Sequence, residues 1–393
     1  ALNDAVNHES CQIVNDYTVT LHLSAPFGPF VSALSRVYIV NKDLVEPHMG
    51  DDNARPWLSV NEAGSGPYTV TTFKPTEEVV LTAYEPYWGG WDGNHVAEVV
   101  FRYIFEPSTQ MALLKSGEVH IAPDITVDDK VALQGKSGYI VDVGAAATPL
   151  YYMMNTRKEG PLSNKTFRKA LVMAFDTELH LDTVLQGFGV VPDGPLPSNW
   201  PGHVSGTMAS FDLDGAKKII DENGWAGTEV TLSFLPADES QVRSAEQWQS
   251  NLRKIGVTLN TVGTTWPAMA ATTRNLDETC DICANYSFPP FPDPHAILNG
   301  IFHSSKTGLN GGSNWHQYEN PEVDKRLDKA ASSSDQAERA ELYGQIQKIM
   351  GPEHVHLVVT NGGSVVALSD KVEGYVYNVA HHQTFNYMDI GLK

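Results

Sequence analysis

Hydrophobic and polar residues alternate with a period of two along several short segments, which is typical of half-buried strands. Segments with this pattern cover residues 17–23, 68–73, 78–84 and 96–104. A short helical pattern over residues 108–116 ends at Gly117. Two glycines and a proline within residues 61–68 indicate a sharp change of direction. We therefore consider residues 61–68 a candidate hinge.

Apolar residues in the middle of the chain recur at spacings of three and four, which predicts amphipathic helices. One helix is expected to begin after Ser163 as N-cap, with five apolar residues on its inner face, namely Phe167, Ala170, Leu171, Ala174 and Phe175. A second begins after Asp212 and ends at Gly224. A third, over residues 240–255, lies between strand patterns on either side. This third helix and its flanking strands predict a β-α-β unit with parallel strands.

Length and composition limit the class of protein. With 393 residues, of which 41% are hydrophobic, the chain is long enough for two or three domains with packed cores. Asp and Glu number 47 against 27 Lys and Arg, which gives a net charge of −20 and disfavours binding to nucleic acid. The sequence has no apolar run long enough to predict a membrane span.

The chain has three cysteines, Cys11, Cys280 and Cys283, which excludes a framework built on disulfides. Cys280 and Cys283 form a C-x-x-C motif, but no second pair of metal ligands follows at zinc-site spacing. The segment reads as extended, and residues three apart on a strand point to opposite faces. The sequence therefore predicts that these cysteines pack separately or form a bridge to something outside the pair.

Motifs for catalysis, nucleotides or metals are lacking in the sequence. It has no phosphate-binding glycine loop and no serine-hydrolase elbow. His354 and His356 are expected on one face of a strand, and His381 and His382 lie near the end of the chain, but none has carboxylates or cysteines at metal spacing. Packed or surface imidazoles explain them better than a metal site. We therefore predict no catalytic residue, no metal and no cofactor.

Aromatic residues in loops are the strongest candidates for function. Trp266 follows a predicted strand, Tyr286 and Phe288 precede a proline-rich loop, and Trp315 follows a glycine pair. Core packing is the alternative explanation for any one of them. Aromatic loops that converge at one edge of an α/β layer would form a stacking cleft, which indicates binding rather than catalysis.

The chain resembles a known family, the family 5 extracellular solute-binding proteins of ABC importers, which serve oligopeptides, dipeptides, nickel chelates and some oligosaccharides. The matching segments follow the family's order across essentially the whole chain: residues 64–68, 87–90, 113–119, Asn155, 167–171, 174–176, 211–212, 216–217, 255–257, 293–294, 320–324, Arg339 and 342–343.

The resemblance implies an α/β fold of the type II, two-lobed, periplasmic-binding-protein-like kind, with an extra subdomain and mixed sheets flanked by helices. Residues 1–57 are then the remainder of the extra subdomain. Residues 58–145 and 372–393 form the first lobe, and residues 146–371 form the second. The chain would start inside the extra subdomain, so we expect the mature protein to contain a leading segment that is lost from this chain or is separate from it.

The resemblance also suggests roles for individual residues. Trp266 aligns with an aromatic residue that lines the solute cavity in oligopeptide binders, and Arg274 falls near a basic residue that binds the peptide carboxylate. At Asn285 the peptide binders carry an aspartate that pairs with the free ammonium of the peptide. The amide disfavours a free α-amine there. Asp293 is a candidate substitute for the aspartate.

The function implied is capture of an oligopeptide or a similar small polar solute between two lobes by hinge closure, followed by delivery to ABC permease transmembrane subunits. The alternatives are an oligosaccharide or opine-like sugar conjugate as the solute and, from another class, a glycosidase or metal-dependent hydrolase. The expected state is a monomer that does not bind nucleic acid. It would be periplasmic or extracellular, with a lost N-terminal leader as a membrane anchor in the latter case. The candidate ligand-binding residues are Trp266, Arg274, Asn285, Tyr286, Phe288, Asp293 and Trp315.

Overall fold

The computed structural model describes residues 11–91, 93–378 and 385–393. Its strands are β1 (Cys11–Asn15), β2 (Thr18–Leu21), β3 (Tyr68–Lys74), β4 (Glu78–Ala83), β5 (Glu98–Arg102), β6 (Ile121–Ala122), β7 (Tyr139–Met154), β8 (Glu229–Phe234), β9 (Thr258–Gly263), β10 (Ile282–Tyr286), β11 (His356–Ser369), β12 (Val372–Glu373) and β13 (Gly391–Leu392).

The α-helices of the same ranges are α1 (Phe30–Ala33), α2 (Lys42–Val45), α3 (Arg55–Leu58), α4 (Pro107–Ser116), α5 (Val127–Leu133), α6 (Lys165–Met173), α7 (Thr177–Thr183), α8 (Leu213–Glu222), α9 (Glu239–Lys254), α10 (Trp266–Thr272), α11 (Pro294–Phe302), α12 (Pro321–Ser332) and α13 (Gln336–Met350).

The chain divides into two compact units. Unit 1 consists of Ala1–Leu34 and Ala145–Gly363, and unit 2 of Ser35–Gly144 and Ser364–Lys393. The candidate hinge at residues 61–68 lies inside unit 2 and does not separate the two units. Its glycines and proline mark the turn that leads into β3 instead. The sequence-based division into a subdomain and two lobes stays a prediction.

Unit 1 is built on a mixed sheet in the order β11, β7, β10, β8, β9. β8 and β9 pair in parallel from Glu229 opposite Thr258 to Phe234 opposite Gly263, with α9 between them in the chain. This confirms the predicted β-α-β unit. β10 is parallel to β8 and antiparallel to β7.

The predicted helices of unit 1 are present, with caps that satisfy their free backbone N–H groups. Asp212 caps α8 by accepting from the Gly215 N–H at 2.8 Å, and Gly224 takes the left-handed conformation just after that helix. The predicted cap of α6 was wrong by one residue: Asn164 accepts from the Thr166 N–H, while Ser163 lies in the preceding 3-10 turn. Because residues Pro161–Ser163 form that 3-10 turn, the helix begins one residue later than predicted and Asn164 occupies the cap position.

The core of unit 1 lies where α6, α8 and α9 pack on the sheet. The inner face predicted for α6 is confirmed, because all five of its apolar residues are buried. Trp248 of α9 is fully buried, and its indole N–H donates to the Leu171 carbonyl at 2.9 Å. This core fixes the strands and therefore the positions at which their ends leave the sheet.

Unit 2 contains an antiparallel sheet in the order β3, β4, β5, as the alternating segments predicted. α4 ends at Gly117 in the left-handed conformation, again as predicted. A small core forms around Met111, Leu114 and Leu133. Within the described ranges, no helix combines the length and the apolar character that crossing a bilayer requires.

Candidate functional site

The carboxyl ends of β8, β9 and β10 lie at one edge of the unit 1 sheet, because these three strands are parallel. The chain leaves this edge after Phe234, Gly263 and Tyr286. In open α/β sheets, ligands bind outside the carboxyl ends of the strands. Of the seven predicted site residues, the structure brings Trp266, Asn285, Tyr286 and Phe288 to this edge, which we call the carboxyl edge.

Trp266 is the first residue of α10, three residues beyond the end of β9. Trp266 is 52% exposed, although tryptophan residues are on average highly buried in folded proteins. The indole Nε1–H donates to Oδ1 of Asn285 at 3.3 Å. The pair therefore links the loop after β9 to β10 and presents an aromatic face beside an amide.

Trp315 packs beside Trp266. It is 3% exposed, and its indole N–H donates to the Gly312 carbonyl at 3.1 Å. The ring centroids of Trp266 and Trp315 are 6.1 Å apart with the planes tilted by 37°. Trp315 is thus a buried neighbour of Trp266 and offers little surface of its own to a ligand.

Tyr286 ends β10, and its hydroxyl interacts with the carboxyl group of Asp238 at the start of α9. Burial, and then the nearby Asp238 carboxylate, raises the pKa of Tyr286 well above its usual value. Asp238 caps α9 by accepting from the Gln241 N–H at 3.1 Å, and burial raises the pKa of this carboxyl group. The Tyr286 hydroxyl is therefore neutral and held within the fold.

Phe288 lies two residues beyond β10 and is 50% exposed. Its ring centroid is 5.8 Å from that of Tyr286, with a tilt of 41°. The Ser287 N–H between them donates to the Pro149 carbonyl at 3.0 Å, which anchors this segment to β7. Phe288 thus adds a second exposed aromatic side chain next to β10.

Asp293 makes its contacts within the fold. It is 5% exposed, caps α11 by accepting from the His295 N–H at 2.8 Å, and accepts from Nη2 of Arg339 at 2.6 Å. Arg339 also donates to the Tyr343 hydroxyl at 2.8 Å. The role of Asp293 as a ligand for an ammonium group stays a prediction, and the structure gives this carboxylate another partner.

Arg274 is exposed and lies two residues beyond α10. Its backbone N–H donates to the Ala271 carbonyl at 3.3 Å. Among the described residues, its guanidinium forms no ion pair. Arg274 is therefore a cation on the surface of the segment that begins with Trp266.

The prediction for the C-x-x-C motif was wrong, because Cys280 and Cys283 form a disulfide with each other. Only Cys283 belongs to β10, while Cys280 lies in the loop before it, so the rule of opposite strand faces does not apply to the pair. Their Cα atoms are 6.2 Å apart. The disulfide links the loop before β10 to β10 itself, the strand that carries Asn285.

The histidines differ from the prediction in one respect. His356 begins β11 and is buried, but His354 lies outside the strand with a left-handed φ of 46°, so the two do not share a strand face. His381 and His382 lie outside the described residues. In the part of the chain that the structure describes, no group of three or more His, Cys, Asp or Glu side chains could hold a metal ion.

The sequence analysis did not identify Asp238 as a residue of the carboxyl edge. Its position after a parallel strand and at the start of a helix is the signal that could have placed it at the carboxyl edge.

Comparison with known proteins gives a match over most of the chain. The family model described as bacterial extracellular solute-binding proteins, family 5 middle, matches residues 3–308. The probable D,D-dipeptide-binding periplasmic protein DdpA of Escherichia coli (strain K12) is 29% identical over 375 residues, which is 95% of this chain and 71% of that protein. The oligopeptide-binding protein AppA of Bacillus subtilis (strain 168) is 25% identical, over 94% of this chain and 70% of that protein.

Solved structures agree at the level of the fold. The crystal structure of NikA from Brucella suis in complex with Fe(III)-EDTA has a TM-score of 0.85 and covers 100% of this chain and 80% of that chain, with 21% identity. The predicted two-lobed α/β fold, with mixed sheets flanked by helices, is confirmed by this likeness.

Proposed function

Because the chain belongs to the bacterial extracellular solute-binding proteins of family 5, we propose that it captures a short peptide or a similar small polar solute. The solute would be delivered unchanged to the permease subunits of an ABC importer. One structural observation carries the proposal: the half-exposed Trp266 indole is hydrogen-bonded to Asn285 at the carboxyl edge. The relatives named as D,D-dipeptide-binding and oligopeptide-binding proteins support a peptide as the solute.

The carboxyl edge has the composition of a binding surface. Trp266 and Phe288 offer aromatic faces, and Asn285 offers an amide. Aromatic side chains contribute large contact areas with little loss of conformational entropy, and a few polar groups then fix the orientation of a ligand. Closure of two lobes on the solute, which would shift the population toward the closed form, stays a prediction from the family resemblance.

A binding protein is favoured over a hydrolase by the carboxylates of this region. Asp238 caps α9, and Asp293 is paired with Arg339. A hydrolase would need carboxylates whose oxygens are free to exchange protons or attack the substrate. The named relatives are binding proteins, and we propose the same class for this chain.

The proposed partners are the transmembrane subunits of the permease, and the proposed location is the periplasm or the cell exterior. The net charge of −20 disfavours nucleic acid as a partner. We propose that the protein works as a monomer.

The deciding experiment is a calorimetric and thermal-shift screen with di- to pentapeptides, oligosaccharides and metal chelates, followed by mass spectrometry of the recovered ligand. We expect stabilisation by peptides that rises with concentration as RT ln(1 + [L]/Kd), with the peptide recovered intact. Binding of oligosaccharides alone would favour the sugar alternative. Cleavage of the ligand would favour the hydrolase.

A further inference from the structure

The hydrogen bond between Trp266 and Asn285 determines which end of the Asn285 amide is available to a ligand. An indole N–H can only donate, so the group it contacts must be the amide oxygen. The distance from Nε1 to Oδ1 is 3.3 Å. The shape of an amide does not distinguish its oxygen from its nitrogen, but a donor-only partner does. The Nδ2 amide group of Asn285 therefore forms the free end.

The Nδ2 group of Asn285 donates no hydrogen bond to any described residue, and the side chain is only half-buried. A bound solute would cover it and remove the water that now satisfies it. A donor left without an acceptor in such a place costs about 1–3 kcal/mol. A solute that binds well must therefore bring an acceptor oxygen to this position.

The ammonium group of a free peptide would face the Nδ2 group of Asn285. Both groups are hydrogen-bond donors, so no hydrogen bond can form between them. The acidic side chains that follow the parallel strands are already engaged. Asp238 accepts from Gln241, and Asp293 from Arg339. The Tyr286 hydroxyl is turned toward Asp238. Glu239, which also follows β8, pairs with Arg243 at 2.5 Å.

We propose that Asn285 donates from Nδ2 to an uncharged carbonyl oxygen of the solute, so that the protein selects peptides with an acylated amino terminus over the same peptides with a free ammonium. This inference rests on the proposed function and narrows it to a class of solute. Trp266 is the positioning residue, since its indole N–H holds the amide in the donating orientation.

Three probes separate the contributions to this selectivity. They are the tripeptide Ala-Phe-Ala, its N-acetyl form, and propionyl-Phe-Ala. The last is Ala-Phe-Ala with the terminal amino group replaced by hydrogen, so it lacks both the ammonium and the extra acetyl carbonyl. Calorimetry on the wild-type chain should give the tightest binding for the acetylated peptide, by about tenfold or more over the free peptide, with the propionyl form between them. Equal affinity of the acetylated and propionyl forms would contradict the carbonyl contact.

Two variants test the geometry. Asn285→Asp should invert the preference, because a carboxylate attracts the ammonium and repels a carbonyl oxygen. Trp266→Phe keeps an aromatic ring but removes the indole N–H, so the amide can turn over and the preference should shrink. Asn223→Asp is the matched control. It makes the same chemical change at the exposed C-cap of α8, before the amino end of β8, and should keep the wild-type preference.

The outcomes distinguish this inference from the proposed function. If the free peptide binds as tightly as the acetylated form or more tightly, the inference is wrong and the proposed function stands. If none of the di- to pentapeptides of the screen binds, with or without an acyl group, a peptide as the solute is contradicted together with this inference. The wild-type comparison decides the question even where a variant fails to fold.

Discussion

Nη2 of Arg339 and Oδ1 of Asp293 lie 2.6 Å apart inside unit 1, and both side chains are almost fully buried. Arg339 lies on α13, while Asp293 caps α11, so the pair ties two helices together. A buried ion pair of this kind is costly to break, because the remaining charge is left without a partner.

Asp293→Asn should therefore lower the free energy of unfolding by about 3–5 kcal/mol, measured by urea denaturation. The matched control is Asp221→Asn, which breaks an exposed pair with Lys217 and should cost less than about 1 kcal/mol. Removing both charges in Asp293→Asn/Arg339→Met should recover part of the loss. Equal stability of Asp293→Asn and the wild type would show that the buried pair contributes little.

Trp266→Ala should weaken solute binding by about 1–3 kcal/mol through lost stacking, while the fold is kept because the side chain is half-exposed. Calorimetry with a peptide found in the screen measures the change, and circular dichroism checks the fold. Phe211→Ala is the control. Phe211 is also an exposed aromatic residue of unit 1 but lies before α8, so its loss should leave the affinity unchanged. An unaltered affinity in folded Trp266→Ala would remove Trp266 from the site.

Reduction of the Cys280–Cys283 disulfide should lower the stability of the protein only modestly. Few residues separate the two cysteines, so the bridge removes little entropy from the unfolded chain, and we expect a loss of roughly 2 kcal/mol. Thermal unfolding with and without dithiothreitol measures it. In the variant Cys280→Ala/Cys283→Ala the reductant should have no effect. A drop of the same size in that variant would point to another cause.

Buried histidines should make the protein sensitive to acid. Burial, and then the neighbouring His354, lowers the pKa of His356 to about 3, and burial also lowers the pKa of His316. The unfolded chain, with a His pKa near about 6.5, binds more protons than the folded chain between these values. Stability is therefore full above pH ~6.5 and falls as the pH drops toward about 3.

His356→Phe should flatten this dependence by up to about 1.4 kcal/mol per pH unit, since one fewer proton is taken up on unfolding. Urea titrations at a series of pH values give the slope. An identical slope in the variant and the wild type would mean that His356 does not titrate on unfolding.

The sequence by itself determined the elements and their inner faces. The cap Asp212, the stop at Gly117 and the buried face of α6 were readable because each depends on residues a few positions apart. The parallel pairing of β8 and β9 followed from the helix between them. The aromatic loops also pointed to binding before any contact was known, and Trp266, Asn285, Tyr286 and Phe288 do lie at one edge.

Only the tertiary structure decided which of the candidate side chains are available to a ligand. Asp293 meets Arg339 across 46 residues, and Trp266 meets Asn285 across 19. Local periodicity carries no information about such pairs, because they depend on how strands and helices pack. The same limit applies to the orientation of the Asn285 amide, which is fixed by the indole N–H of Trp266. It also applies to the Cys280–Cys283 disulfide, because β10 begins later than the sequence pattern suggested.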